Sequence, residues 1–330
     1  PVTGMAREGG GILARTPHGG IRADRVLLAT NAYPPLLRRL RRRILPVYDH
    51  VLVTEPLSHD QQAALGWPEQ QGFDVAFHCH PDPGPPGNYF SPYAVKPTGE
   101  PRGQNKVGTI TDGPAGEYIV DRLADEAVKF IRDNRARPFF LYFPHYAVHT
   151  PLQAKPDKVA KYEKIPEAQR QGKPVYAAMV ESMDESVGRV MATLRELSLE
   201  DDTLVIFTSD NGGFYNATSN APLRANKGAY YEGGIRVPLI VKWPGVAKAG
   251  HVSAEPVIST DLYPTCLAAA GLPARPNQHI DGRNLQPLLT GGATLGRPAI
   301  FWHFPHYNDH PHSVPSGVIR QGPWKLIETF

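Results

Sequence analysis

The stretch Thr203-Leu204-Val205-Ile206-Phe207-Thr208-Ser209-Asp210-Asn211-Gly212-Gly213 decides the fold class of this sequence. Its first six residues are largely apolar, which is typical of a strand in a parallel sheet that is covered on both faces. The polar residues come at the carboxyl end of that strand, where open α/β sheets bind ligands. Asp210 offers a charged oxygen and Asn211 a neutral one, and both are hard ligands suited to calcium. Taken alone, the motif also fits a tight turn, because Asp-Asn-Gly is common turn chemistry.

Helices and apolar strands alternate on both sides of this stretch. Hydrophobic periodicity predicts helices at 119–134, 174–197 and 261–270, strands at 138–143 and 237–242, and a terminal hairpin formed by 318–320 and 324–327. This order predicts an α/β fold: a mostly parallel sheet flanked by helices, with a small antiparallel addition at the C-terminal end.

Two further segments carry residues suited to anion chemistry. His149 follows the predicted strand at 138–143, and a histidine at such a place can act as a general acid or as an anion donor. Lys227 lies between small residues ahead of the predicted strand at 237–242, where its ammonium group can face an oxyanion. A structural loop histidine and a surface turn are the alternative interpretations of these two positions.

The three motifs in chain order resemble the sulfatase family of the alkaline-phosphatase superfamily, and the resemblance runs from about residue 72 to the end. Its motifs are Tyr146-Ala147-Val148-His149-Thr150-Pro151, Ser209-Asp210-Asn211-Gly212-Gly213, and Asn226-Lys227-Gly228 with Tyr231-Glu232-Gly233-Gly234-Ile235-Arg236-Val237-Pro238. The resemblance implies that Asp210 and Asn211 bind Ca²⁺ and that His149 and Lys227 contact the sulfate oxygens. One of these two would protonate the leaving oxygen. His303 and His306 would line the substrate mouth or serve as structural histidines.

The implied activity is hydrolysis of sulfate monoesters by an arylsulfatase-like sulfuric ester hydrolase. Members of the family use a formylglycine nucleophile made from the cysteine of a Cys-x-Pro-x-Arg segment, and this sequence contains no such segment. Cys79-His80-Pro81-Asp82-Pro83 has Pro83 where the arginine is required and follows the Gly72-Phe73-Asp74-Val75 match instead of preceding it. We therefore expect this chain by itself to be inactive.

Three alternative functions stay open at this point. A phosphodiesterase or mutase of the same superfamily would use zinc or manganese and place a histidine after the aspartate, whereas Asn211 in that place favours calcium and a sulfatase. A non-catalytic sulfate-binding protein would fit the missing nucleophile. An FAD-dependent oxidoreductase fragment is the third alternative.

The third alternative comes from residues 1–70. The segment from Ala23 to Tyr33 resembles D-amino-acid-oxidase-like FAD oxidoreductases, and the likeness continues to Trp67-Pro68. Gly9-Gly10-Gly11 lacks the spacing of a dinucleotide-binding loop, so no cofactor-binding residue is assigned and FAD is not expected. The sequence thus predicts an oxidoreductase-like fragment at 1–70, a hairpin followed by a helix, and a sulfatase-like domain at 71–330.

Amino-acid composition limits the classes of binding partner that the sequence indicates. The sequence is 41% hydrophobic and 20% charged, as in ordinary globular proteins, and its net charge of +3 is too small to indicate nucleic acid. The arginine-rich run at 38–43 fits a solvated helix face. No apolar run reaches the length of a membrane span, and two separated cysteines give no disulfide framework. A sulfated small molecule or carbohydrate is the expected partner. Localisation is open, and it would be periplasmic or extracellular for a typical bacterial sulfatase.

Overall fold

The computed structural model describes residues 4–8, 11–16, 19–23, 73–77, 84–85, 87–93, 110–292 and 294–330. The chain divides into two compact units, Pro1–Val75 and Ala76–Phe330, and each is described by itself.

The first unit contains a three-stranded antiparallel sheet. Its strands are β1 (Gly4–Glu8), β2 (Gly11–Thr16) and β3 (Gly19–Ala23), in the order β1-β2-β3. The predicted hairpin corresponds to β2 and β3, and the residues that follow Ala23 lie outside the described part of the chain. The predicted helix and the arginine-rich run fall at 24–72, outside the described residues. The oxidoreductase-like origin of this unit stays a prediction.

Six α-helices are described in the second unit. They are α1 (Ile119–Asn134), α2 (Pro156–Glu163), α3 (Pro174–Glu196), α4 (Glu232–Ile235), α5 (Leu262–Ala269) and α6 (Gln286–Leu289). Of these, α1, α3 and α5 correspond to the three that the sequence predicts. Helix α1 buries Ile119, Leu123, Ala127 and Ile131, which recur every four residues and form the face that packs against α3. Helix α3 begins at Pro174, whose fixed φ suits the first helical position.

The strands of the second unit form two small sheets. They are β4 (Val205–Thr208), β5 (Leu239–Lys242), β6 (Ile300–Phe304), β7 (Ser316–Gln321) and β8 (Trp324–Thr329). Strand β4 pairs with β5, and β6, β7 and β8 form the C-terminal sheet, which contains the predicted terminal hairpin. All these pairs are antiparallel, so the parallel pairing expected for β4 is not found among the described residues. The chain returns from β4 through one short helix, which lets β5 run back along its neighbour.

The segment 138–143 differs from its prediction as a buried strand. Its backbone has no assigned strand ladder within the described part of the chain. The side chains of Phe140 and Tyr142 are 61% and 57% exposed, whereas the alternate residues Phe139, Leu141 and Phe143 are less exposed. The alternation is that of an extended chain with one inner face, and a continuous apolar run in sequence does not distinguish this case from burial on both faces.

The core of the second unit lies between the loop at 87–93 and helices α1 and α3. Tyr89, Tyr118, Ile119 and Met179 are almost completely buried there, and the rings of Tyr89 and Tyr118 stack with centroids 5.8 Å apart. The hydroxyl group of Tyr118 donates to the main-chain oxygen of Gln153 at 2.9 Å. Both tyrosines therefore combine apolar burial with a satisfied polar end.

A buried aspartate anchors the segment before α5. Asp261 is fully buried and forms an ion pair with Arg297, while its carboxylate also accepts bonds from the main-chain N–H groups of Ile258 at 2.9 Å and Arg283 at 2.7 Å. Asp261 thus joins the segments of Ile258, Arg283 and Arg297. None of the described helices is long and apolar enough to span a membrane.

Candidate sulfate site

The loop that carries Asp210 and Asn211 has a fixed backbone. The Asp210 Oδ1 atom accepts a hydrogen bond from the Asn211 N–H group at 2.9 Å, and the Asn211 Nδ2 group donates to the Gly212 main-chain oxygen at 3.0 Å. The Gly212 N–H group donates to the main-chain oxygen of Gly234 at 2.8 Å. A Cβ atom on Gly212 would lie 1.8 Å from the Gly233 oxygen, so only glycine fits this approach.

The loop of Lys227 is bonded to this first loop. The Lys227 N–H group donates to the Gly213 main-chain oxygen at 3.1 Å. The side-chain amide of Asn220 bonds both main-chain groups of Gly213, at 2.9 and 3.1 Å. Gly228 follows with a φ of +91°, which favours glycine. The second and third sequence motifs are therefore held together by backbone hydrogen bonds, which set Lys227 beside the loop of Asp210 and Asn211.

A separate turn presents His149. Its N–H group donates to the Tyr146 oxygen at 2.8 Å, and its own main-chain oxygen lies 2.9 Å from the Tyr89 hydroxyl group. The His149 Nδ1 atom lies 3.0 Å from the Thr150 main-chain oxygen. The Thr150 hydroxyl group also lies 3.4 Å from Nδ1, so Nδ1 is engaged by Thr150 and Nε2 is left for a ligand.

His310 connects these loops, and sequence reasoning missed it. It lies between β6 and β7, and a Cβ atom placed on Gly228 would come within 2.6 Å of the His310 Cβ atom. Partial burial lowers the pKa of His310, the positive charges of Lys227 and His149 lower it further, and the charge of Asp309 opposes them. The electrostatic effects of Lys227 and His149 on the pKa of this imidazole agree with a position of both residues near it. Nothing in the local sequence marks His310 among the histidines at 303–312.

The oxygens of Asp210 and Asn211 match calcium in kind. The Asn211 Nδ2 group is turned to the backbone, so Oδ1 is left as its metal-binding atom, and the Asp210 side chain is exposed. The described residues contain no group of three or more His, Cys, Asp or Glu side chains that could hold a metal ion. The pair can therefore supply only part of the six to eight oxygens that Ca²⁺ takes.

The two histidines predicted at the substrate mouth lie on or just after β6. The ring of His303 is 6.1 Å from the ring of Phe330, and the ring of His306 is 5.6 Å from that of Phe304. These contacts belong to the C-terminal sheet. A substrate role for either residue stays a prediction.

Glu232 attaches the C-terminal sheet to the site. Its carboxylate accepts a hydrogen bond from the Lys325 Nζ group at 2.6 Å and lies 3.5 Å from Arg320. Lys325 also donates to the main-chain oxygen of Tyr230 at 2.8 Å. Strands β7 and β8 thus fix the segment that directly follows Lys227 and Gly228.

Comparison with known families agrees with the three motifs. The family described as Sulfatase matches residues 18–272, which is most of the chain. The chain belongs to the sulfatase family. The family described as N-sulphoglucosamine sulphohydrolase, C-terminal, matches residues 225–330. The sulfatase match includes residues 18–70, and it gives no support to the oxidoreductase resemblance of that segment.

Individual relatives of this sulfatase include a sulfatase of Formosa agariphila, which is 39% identical over 62% of this chain and 40% of its own length. The steryl-sulfatase of Mus musculus is 42% identical over 56% of this chain and 30% of its own. The sulfatase chain therefore spans well under half the length of these relatives.

A solved structure shows the fold of the sulfatase chain. The crystal structure of Ps i-CgsB in complex with k-i-k-neocarrahexaose is 31% identical, with a TM-score of 0.64, and covers 82% of this chain and 60% of that one. The predicted α/β class of alkaline-phosphatase-like sulfatases is confirmed by this similarity.

Proposed function

We propose that the site formed by His149, Lys227 and the loop of Asp210 and Asn211 binds the sulfate group of a sulfate monoester, in an arrangement that would assist hydrolysis where a nucleophile is also supplied. The observation that carries the proposal is the hydrogen bond from the Lys227 N–H group to the Gly213 oxygen, together with the packing of His310 on Gly228 and Phe214. The electrostatic effect of both Lys227 and His149 on the pKa of His310 supports a position of the His149 motif near the other two motifs.

The two basic residues have complementary tasks. The Lys227 ammonium group donates to sulfate oxygens and offsets their charge. The His149 Nε2 atom is left for the substrate because Nδ1 is bound to Thr150. When protonated, the imidazole of His149 can donate to a sulfate oxygen or give its proton to the leaving alcohol oxygen.

Asp210 and Asn211 would hold Ca²⁺ next to these groups. A carboxylate oxygen and an amide oxygen both suit Ca²⁺. Two residues supply too few oxygens for the ion, so further ligands are required. When bound, the metal would polarise the sulfate group as a Lewis acid. Asp210 also acts electrostatically on Tyr176 in α3, where burial and the carboxylate charge raise the tyrosine pKa.

The nucleophile is the part that this sequence does not supply. Cys266 is free and lies within α5, and partial burial raises the pKa of its thiol, which keeps the less reactive protonated form. Cys79 lacks the arginine of the family motif and lies outside the described residues. We therefore propose that the 330-residue chain binds sulfate without turning over sulfate esters.

The proposed substrate class is a sulfated carbohydrate or a sulfated small molecule. The similar structure was solved in complex with k-i-k-neocarrahexaose, and a similar relative is named as a steryl-sulfatase. The complex of the similar structure with a carbohydrate supports the first of these two classes. The expected periplasmic or extracellular location stays a prediction.

Binding and turnover of the same chain test the proposal. Inorganic sulfate titrated into the 330-residue protein should bind, and Lys227→Ala should abolish most of that binding, whereas Lys248→Ala, which removes an exposed lysine, should not. With 4-nitrophenyl sulfate and CaCl₂, hydrolysis should stay at background. Equal binding by wild type and Lys227→Ala would refute the site. Turnover by wild type that disappears in Lys227→Ala would show that the chain supplies a nucleophile, and it would refute the proposed inactivity.

A further inference from the structure

His310 is held in one place against the sulfate site. Ring atoms Cγ and Cδ2 would lie 3.1 Å from a Cβ atom on Gly228, so the imidazole packs directly on the residue after Lys227. The ring of Phe214 contacts it edge-on, with centroids 5.6 Å apart. Phe214 itself follows the loop of Asp210 and Asn211. His310 therefore sits where two of the site loops meet.

The backbone around His310 is also fixed. The His310 N–H group is 3.3 Å from the side-chain oxygen of Asn308, and its main-chain oxygen accepts a bond from Ser313 at 3.1 Å. Ser313 is 4% exposed. A side chain supported in this way loses little conformational entropy when a ligand binds.

The ring nitrogens of His310 are available for a ligand. Across the described residues, no hydrogen bond or ion pair engages either nitrogen, and neither is an unpartnered buried atom. Burial together with the charges of Lys227 and His149 lowers the pKa of the imidazole, so it is neutral at pH 7. A neutral imidazole has one N–H donor and one acceptor nitrogen.

We propose that His310 hydrogen bonds to a hydroxyl group beside the sulfate ester and so selects sulfated carbohydrates over hydroxyl-free sulfates. The inference rests on the sulfate site proposed above. Lys227 already supplies positive charge for the sulfate, and a neutral imidazole packed on the residue that follows Lys227 suits a neutral polar partner. A hydroxyl group can both donate and accept, which matches the two nitrogens of the ring.

Three ligands separate this role from sulfate binding itself. Sodium sulfate, phenyl sulfate and glucose 6-sulfate would each be titrated at fixed ionic strength into wild type, His310→Ala, His310→Asn and Lys227→Ala, followed by NMR. His251→Ala, which removes an exposed histidine elsewhere, is the matched control. His310→Ala should weaken glucose 6-sulfate about 3- to 10-fold, the range of one neutral hydrogen bond. Sulfate and phenyl sulfate should change by less than about twofold, and His310→Asn should recover part of the loss.

The outcomes distinguish the two proposals. Equal weakening of all three ligands by His310→Ala, or no change for any of them, overturns the role of His310 while the sulfate site stands. Failure of wild type to bind sulfate, or no effect of Lys227→Ala, overturns the proposed function and this inference with it. If His310→Ala does not fold, the Cε1–H resonance of His310 in wild type decides. It should shift with glucose 6-sulfate beyond the shift that sodium sulfate causes, and equal shifts overturn the inference.

Discussion

The hydroxyl group of Tyr89 lies 2.9 Å from the main-chain oxygen of His149, and it lies 2.6 Å from that of Tyr146. A single hydroxyl hydrogen is thus shared by both ends of the turn that presents His149. Tyr89 is fully buried, and burial raises its pKa, so the hydroxyl group stays a donor at any ordinary pH. A residue of the core therefore positions a residue of the site.

Removing that hydroxyl group should affect both stability and binding. Tyr89→Phe removes the hydroxyl donor of the His149 main-chain oxygen, whereas the Tyr146 oxygen keeps the His149 N–H group as a donor. We expect a loss of about 1–3 kcal/mol in the free energy of unfolding. Sulfate binding should weaken as well, because the His149 turn loses its anchor. Urea unfolding and sulfate titration measure the two effects.

Tyr118→Phe is the matched control for this variant. It removes a hydroxyl–carbonyl bond from the same core, but that bond goes to Gln153. Stability should fall by a similar amount while sulfate affinity stays within about twofold of wild type. Loss of affinity in both variants would show that the effect is not specific to the His149 turn.

Two glycine substitutions should change stability in opposite directions. Gly212→Ala forces a Cβ atom against the Gly233 oxygen, and we expect a loss of more than about 2 kcal/mol together with weaker calcium and sulfate binding. Gly188 lies exposed in α3 with nothing within 4 Å of an added Cβ atom, so Gly188→Ala should raise stability by about 0.5–1 kcal/mol. Thermal unfolding of the two variants checks both signs, and tolerance of Gly212→Ala would contradict the packing described here.

Glu232 should make stability depend on acid pH. Burial raises its pKa, but the hydrogen bond from Lys325 and the charges of Lys325, Arg320 and Arg236 outweigh burial and lower it. A lowered folded pKa gives stability that is present above the unfolded value and is lost as pH falls through the folded value. Glu232→Gln should therefore cost about 1 kcal/mol at pH 7, and the difference from wild type should shrink below about pH 4.5.

Urea unfolding at several pH values measures the Glu232 effect. Glu328→Gln is the control, because Glu328 lies exposed on β8 and its removal leaves the Glu232 contacts intact. Its stability should follow wild type at each pH. A Glu232→Gln deficit that persists undiminished at pH 3 would mean that the carboxylate charge is not its source.

Calcium should bind weakly and through Asp210. One carboxylate and one amide oxygen provide too few ligands for a tight site, so we expect a Kd above about 0.1 mM for the 330-residue chain. Asp210→Asn should abolish the binding, whereas Asp201→Asn, which changes an exposed residue before β4, should not. Calorimetric titration with CaCl₂ provides the measurement, and micromolar affinity in wild type would reveal ligands beyond Asp210 and Asn211.

Local patterns predicted much of the second unit because the interactions involved are local. The predicted helix at 119–134 agrees with α1 at both ends, and the one at 174–197 agrees with α3 within one residue. Gly271 ends the region of α5 with a φ of +67°, as a helix-stop glycine should. The direction of strand pairing was harder to predict. The apolar run at 203–208 is typical of a parallel strand, whereas β5, the described partner of β4, runs antiparallel to it. The choice of partner depends on chain segments that local composition does not specify.

The sequence by itself determined the family and the chemical character of Asp210, Asn211, His149 and Lys227, because motif order and side-chain type are properties of the chain. Only the tertiary structure decided what surrounds them. Tyr89 became an anchor of His149, and His310 came to pack on Gly228, through contacts across about 60 and 80 residues of chain. Residues so far apart in sequence come into contact only when the core packs, so a local sequence pattern cannot predict these contacts.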